Sequence, residues 1–257
     1  MARVIVIASG KGGVGKTTIA AGIGADLGAM NKKTVLIDLD MGLRNIDVLL
    51  GMETQVLNHW GDYISGRLPL EECLTSDERF PGLSLLAAAQ NEEGLALSAD
   101  DLKAMTDQLK ESFDVILIDC PAGIGPLFRA ACAHADEGIV VTNPVVSAVR
   151  DADKVLHLME KMGVPRRFIL INAIRFHLMK HSVMMSPDDI SEVLGADLLG
   201  IVPEDEHVLI ACNRGMPPCD TAYPAGKALS RISQRIAGIA APMPPLNKKR
   251  GGLFRRK

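Results

Sequence analysis

With 257 residues, 47% of them hydrophobic and 23% charged, the chain has room for one large domain or two small ones around an ordinary globular core. Aromatic residues make up only 4%, so aliphatic side chains must fill that core, and a base-stacking nucleic-acid platform is not expected. The net charge of −3 is unevenly spread: the last ten residues, KKRGGLFRRK, hold six cations, and without them 22 basic side chains face 31 acidic ones, a net −9.

In chain order, residues 3–8 (RVIVIA) form a β-branched run that ends at a Gly-rich loop. Residues 16–30, rich in Ala, Ile and Leu, read as a helix, and residues 34–38 (TVLID) as a second strand. Residues 83–87 are a weaker strand candidate. Residues 99–112 carry Leu102, Met105 and Leu109 at helical spacing behind Ser98, a plausible N-cap. Further strands are expected at 114–119 (DVILID), 138–142 (GIVVT), 168–172 (FILIN) and 198–202 (LLGIV). Helices are expected at 148–162, from Pro187 with Ser186 as its cap, and at 225–240. The strands are apolar throughout rather than alternating, which suits burial on both faces of a parallel sheet. Strands alternating with helices predict right-handed βαβ units and a doubly wound, mostly parallel α/β sheet flanked by helices.

No internal repeat divides the chain. A single domain is expected over residues 1–241, followed over 242–257 by a Pro-rich linker and a basic tail. Cys73, Cys120, Cys132, Cys212 and Cys219 form no CxxC pair and no metal-ligand spacing, so reduced thiols are expected. The N-terminus runs directly into a strand, so no secretory leader is expected, and no apolar stretch is long enough to span a bilayer.

Residues 10–17 fit GxxxxGK[ST] between a strand and a helix, the context a phosphate-binding loop requires. Such a loop turns several backbone N–H groups toward an anion, and the following helix adds its positive end. Lys16 supplies a point charge for the β- and γ-phosphates, the Thr17 hydroxyl can ligate Mg²⁺, and Thr18 is placed near the α-phosphate. ATP with Mg²⁺ is the expected ligand. Lys11 lies inside the loop, where an ordinary phosphate loop needs no lysine. It is either a solvated loop residue or a cation that reaches phosphates, including those held by a second subunit; residue types alone leave both open.

With Lys11 included, KGGVGKTT resembles the deviant Walker A box of the MinD/ParA ATPases. Residues 38–47 (DLDMGLRNID) and 119–123 (DCPAG) are similar to the family's switch I and switch II segments. TNPVVSAVRDADK from Thr142 and IVPED from Ile201 fall in the family's order. Arg44-Asn45 favours the MinD branch over plasmid-partition and flagellar-number regulators. The resemblance runs from Arg3 to about Ala240 and implies a P-loop NTPase of the SIMIBI type.

It also implies roles. Gly10, Lys11, Gly12, Gly13, Val14, Gly15, Lys16, Thr17 and Thr18 would cradle the phosphates. Lys11 would cross an ATP-sandwiched homodimer to the other subunit's nucleotide and neutralise transition-state charge, as an arginine finger does. Asp40 would orient the attacking water, making Lys11, Lys16 and Asp40 the catalytic set. Thr17, Asp38 and Asp119 would serve the metal. Asn172 would read the adenine edge, with Pro203, Glu204 and Asp205 packed near the base. The helix carrying Arg150, Asp151 and Asp153 would help form a partner surface. The implied function is a slow, partner-stimulated ATP hydrolase at the inner face of the cell membrane. It would recruit a MinC-type division inhibitor and respond to a MinE-type or other topological factor, so placing the division septum. A ParA- or flagellar-number-type positioning ATPase is the alternative. No nucleic acid is expected as a partner.

The tail adds an anionic membrane surface to the partners. Each cation contributes ~1 kcal/mol near such a surface, and burying Leu253 or Phe254 adds ~1.5–3 kcal/mol. One tail is then a weak anchor, and two in a dimer bind far better by avidity.

Overall fold

The computed structural model describes residues 2–41, 45–89, 97–180 and 183–243. Gly42, Leu43 and Arg44 of the first switch segment, and all six cations of the tail, lie outside the described residues.

Among the described residues eight strands form one sheet: β1 (Arg3–Ala8), β2 (Thr34–Asp38), β3 (Leu74–Ser76), β4 (Leu83–Leu86), β5 (Val115–Asp119), β6 (Glu137–Thr142), β7 (Arg166–Ile174) and β8 (Asp197–Pro203). Their order is β3-β4-β2-β5-β1-β6-β7-β8. Every neighbouring pair is parallel except β3 with β4, so the doubly wound, mostly parallel sheet is borne out. From β1 the chain moves outward to β2 and then to the far side through β6. The crevice at the carboxyl ends of the central strands is where such sheets place ligands.

The long helices are α1 (Lys16–Ala29), α4 (Ala99–Leu109), α6 (Val146–Lys161), α8 (Pro187–Leu194) and α10 (Pro224–Ile236). Short ones lie between them: α2 (Ile46–Leu50), α3 (Trp60–Ile64), α5 (Pro126–Cys132), α7 (Phe176–Lys180) and α9 (Glu206–Cys212). Ser98 and Ser186 cap their helices as expected, accepting from the Asp101 and Asp189 backbone N–H groups.

Successive strand residues point to opposite faces, and each face has its own core. Val4, Val6, Val35, Ile37, Ile116 and Ile118 pack with Met105 of α4, Phe128 of α5 and Val155 of α6. Ile5, Ile7, Leu36 and Leu117 pack with Ile19, Ile23 and Leu27 of α1 and with Leu229 and Ile232 of α10. Both faces being covered is the reason the strands read as unbroken apolar runs. Helix α1 is buried nearly all round, between sheet and α10, which fixes the loop that precedes it. Among the described residues no helix is long and apolar enough to cross a membrane.

Several boundaries differ from expectation. Strand β7 extends to nine residues, and α6 begins two residues before the expected 148. Strand β3 and the five short helices were not expected from the sequence. With three to seven residues each, they are too short for a periodic pattern to emerge.

Candidate nucleotide site

The loop between β1 and α1 is shaped by its glycines. Gly13 and Gly15 have φ of 80° and 87°, a left-handed conformation that side chains disfavour. A Cβ on Gly10 would lie 2.5 Å from backbone atoms of Asp151, so α6 abuts the loop directly. Gly15 opens α1 without a side-chain cap, leaving the helix's first N–H groups for an anion. Ser9 Oγ donates to the Lys11 carbonyl at 3.1 Å, and Gly123 N donates to the Ser9 carbonyl at 2.9 Å. The second bond ties the 119–123 segment to the loop.

Below the loop lies an acidic centre. Asp38 and Asp119 end adjacent strands and are direct register partners. Both are buried, and among the described residues Asp38 Oδ2 and Asp119 Oδ2 have no hydrogen-bond partner. Lys16 Nζ donates to Asp119 Oδ1 at 2.7 Å and to Thr17 Oγ1 at 3.2 Å. Burial raises the pKa of Asp119 against the pull of Lys16 and Thr17. Burial, reinforced by the charge of Asp119, pushes Asp38 up to about 7. Asp38 Oδ1 accepts from the Asp40 backbone N–H at 2.8 Å, which fixes the start of the switch segment. Two buried carboxylate oxygens without partners, beside a threonine hydroxyl and a phosphate loop, fit a hard divalent cation such as Mg²⁺.

Lys11 sits apart from this centre. Its ammonium meets Ser147 Oγ of α6 at 3.4 Å, on an exposed part of the surface. The two loop lysines thus face different partners: Lys16 meets buried Asp119, and Lys11 the helix that carries Asp151 and Asp153.

The residues expected near the base meet at the ends of β7 and β8. Asn172 Nδ2 donates to the Val14 carbonyl at 2.8 Å, and Asn143 Nδ2 donates to the Asn172 carbonyl at 3.1 Å. The Asn172 amide group is therefore a brace for the loop as well as a candidate base contact. Pro203 ends β8, and Glu204 forms a two-pronged ion pair with Arg175, one prong at 2.5 Å. Asp205 caps two helices at once: its carboxylate accepts from His207 N and Ala225 N, each at 3.0 Å. Burial acts against its ionised form, but those N–H groups and the His207 ring hold its pKa below the usual range.

Some supporting residues were not expected from the sequence. Trp60 is fully buried and donates from Nε1 to the Asp38 carbonyl at 2.9 Å, bracing the acid from behind. A lone Trp in an unassigned segment carries no signal of that role. Ser147 and Asn143 lie within the segment from Thr142, where residue type alone carries no signal of these contacts.

A family model described as ParA, NUBPL iron-transfer P-loop NTPase, matches residues 1–237. The chain is 42% identical over 244 residues to the septum site-determining protein MinD of Synechocystis, covering 94% of this chain and 92% of that protein. It also resembles MinD in the MinC:MinD cell division protein complex of Aquifex aeolicus, at 38% identity and a TM-score of 0.89, over 95% of this chain and 100% of that one. A third likeness is to the septum site-determining protein MinD complexed with Mg-ADP from Pyrococcus horikoshii. There the identity is 28% and the TM-score 0.83, over 92% of this chain and 96% of that one.

Proposed function

The chain belongs to the MinD branch of the ParA family of P-loop NTPases, and from that premise we propose how its site works. It is a MinD-like positioning ATPase of cell division that uses ATP with Mg²⁺. The alternative of a ParA- or flagellar-number-type regulator is not better supported. The observation that carries the mechanism is the separation of the two loop lysines around one phosphate cradle.

The backbone N–H groups of the loop and the start of α1 hold the β- and γ-phosphates. Lys16 exchanges its contact with Asp119 for phosphate oxygens. Thr17, Asp38 and Asp119 would hold Mg²⁺, which would neutralise phosphate charge. Asp40, tethered through its backbone to Asp38, orients the attacking water. Asn172 and residues Pro203 to Asp205 flank the base. Lys11 completes the site of a second copy across an ATP-dependent homodimer. Lys11→Ala is then expected to retain nucleotide binding but lose ATP-dependent dimers. Size-exclusion chromatography with MgATP decides it, and normal dimers would make the loop an ordinary phosphate cradle.

A MinC-type inhibitor is the partner that the family membership supports; a MinE-type factor is a further one. The charged face of α6, bearing Arg150, Asp151 and Asp153, forms part of their surface. Its contact with Gly10 and Lys11 links that surface to the nucleotide loop. Asp151→Arg is expected to weaken inhibitor binding roughly tenfold, the scale of a like-charge contact, with ATP binding kept. Unchanged affinity in a titration with the inhibitor would remove α6 from the surface.

The basic C-terminal tail attaches the dimer to the inner face of the cell membrane, so that ATP controls residence there. Sedimentation with anionic liposomes tests this, comparing ATP with ADP for the whole chain and for a chain ending at Asn247. Equal pelleting with both nucleotides would sink the switch, and equal pelleting without the tail would sink the anchor.

A further inference from the structure

A groove of about 250 Å³ runs between α10, α7 and the outer strand β8, and neither Lys16 nor Asp119 lines it. Its lining holds Lys227, Arg231 and Arg235, with Phe176 and Pro203 among the apolar remainder, and no acidic residue. The three cations are spaced four apart on α10, which puts them on one helix face. Neither Lys227 nor Arg231 makes a side-chain hydrogen bond or ion pair among the described residues. Glu204, which follows Pro203, is taken up by Arg175. On a body whose balance is acidic, three cations without carboxylate partners among the described residues, along one groove, are a local reversal of charge.

Arg235 connects this groove to the root of the tail. Its Nη1 donates to the Leu199 carbonyl of β8 at 2.6 Å, its Nε to the Ala241 carbonyl at 3.0 Å and its Nη2 to the Pro242 carbonyl at 2.6 Å. The guanidinium therefore pins the last turn of the body to the outer strand. Burial and the nearby Arg231 both press its pKa down, as expected for a cation held by carbonyls rather than by a carboxylate. Ala241 and Pro242, at the end of the body, thus lie beside the basic groove.

We propose that the α10 face bearing Lys227 and Arg231 is a second membrane contact, which receives an anionic phospholipid headgroup once the tail has brought the body to the bilayer. The charge of the groove favours an anion. Its continuity with Pro242 favours the surface that the tail already engages. The exposed ring of Phe176, 42% accessible, supplies an apolar rim for the interfacial layer. A contact on the folded body also orients the dimer, which a tail alone does not do. The proposal rests on the membrane reading given above.

The test is sedimentation of the full chain with MgATP and vesicles of phosphatidylglycerol in phosphatidylcholine, alongside pure phosphatidylcholine. The variants are Lys227→Gln with Arg231→Gln, the single Lys227→Gln, and the charge-keeping Lys227→Arg with Arg231→Lys. One cation near an anionic surface is worth roughly fivefold in affinity, so the double variant should bind about 25-fold more weakly. The single variant, at an exposed position, should bind about fivefold more weakly, and the charge-keeping variant should bind as wild type does. ATP hydrolysis in solution and thermal unfolding should not change. Wild type that fails to pellet would overturn the membrane reading and this proposal with it. Wild type that pellets with both glutamine variants equal to it would overturn this proposal alone. Loss of duplex-DNA binding in the variants, with vesicle binding intact, would assign the face to nucleic acid instead.

Discussion

Lys16→Gln should lower ATP hydrolysis by about 100- to 1000-fold, the cost of removing one preorganised group that stabilises developing charge in a water-poor site. Two effects combine in that variant, because the Lys16 ammonium is also the partner of buried Asp119 at 2.7 Å. Removing one member of a buried pair costs about 3–5 kcal/mol of stability, since the other charge is left without compensation. The variant is therefore expected to unfold at lower denaturant concentration as well as to lose turnover. Lys16→Gln combined with Asp119→Asn separates the two. It removes both charges, so much of the lost stability should return, while hydrolysis stays at the reduced rate or below it. Denaturant titration and single-turnover hydrolysis measured on the same samples decide the matter. A double variant that regains hydrolysis would show that Lys16 acts through Asp119 rather than on phosphate.

Asp26→Asn should stabilise the protein, and by an amount that depends on pH. Asp26 lies on α1, packed toward α10, where its Oδ2 accepts from Ser233 Oγ at 3.3 Å. Burial raises its pKa from 3.8 to about 7, against the weaker opposing pull of Ser233. The folded chain thus keeps a proton that the unfolded chain gives up near pH 4. Stability contributed by this group is fully present below that point. It falls as pH rises toward 7 and is lost above. A shift of about three pH units corresponds to roughly 4 kcal/mol. Asparagine is neutral throughout, so the variant should match wild type near pH 4 and exceed it by up to about 4 kcal/mol at pH 8. Urea unfolding at both pH values checks this. A difference that is the same at pH 4 and pH 8 would mean that Asp26 is not carried into the fold as a neutral acid.

Much of this was legible in the chain. The loop from Gly10 to Thr18 is local: a strand, a turn of glycines and a helix lie within thirty residues, and the chemistry sits on consecutive positions. The six apolar runs were legible for the same reason, since burial on both faces leaves a pattern that needs no partner to be seen. The short elements were not. Helices α2, α3, α5, α7 and α9 have five to seven residues each and are held by the surfaces they pack on, not by a period of their own.

The sequence by itself determined the class of the protein, its phosphate loop and the presence of an extra lysine there, because each depends on residues adjacent in the chain. Tertiary structure decided what those residues face. It set Asp38 opposite Asp119 across two strands far apart in sequence and put Lys16 between the acids and the loop. It turned Lys11 toward Ser147, braced Asp38 with Trp60, and used the Asn172 amide to hold the loop. It also drew the root of the tail onto Arg235. These are contacts between distant segments, and their energies come from burial and pairing that exist only once the sheet has assembled.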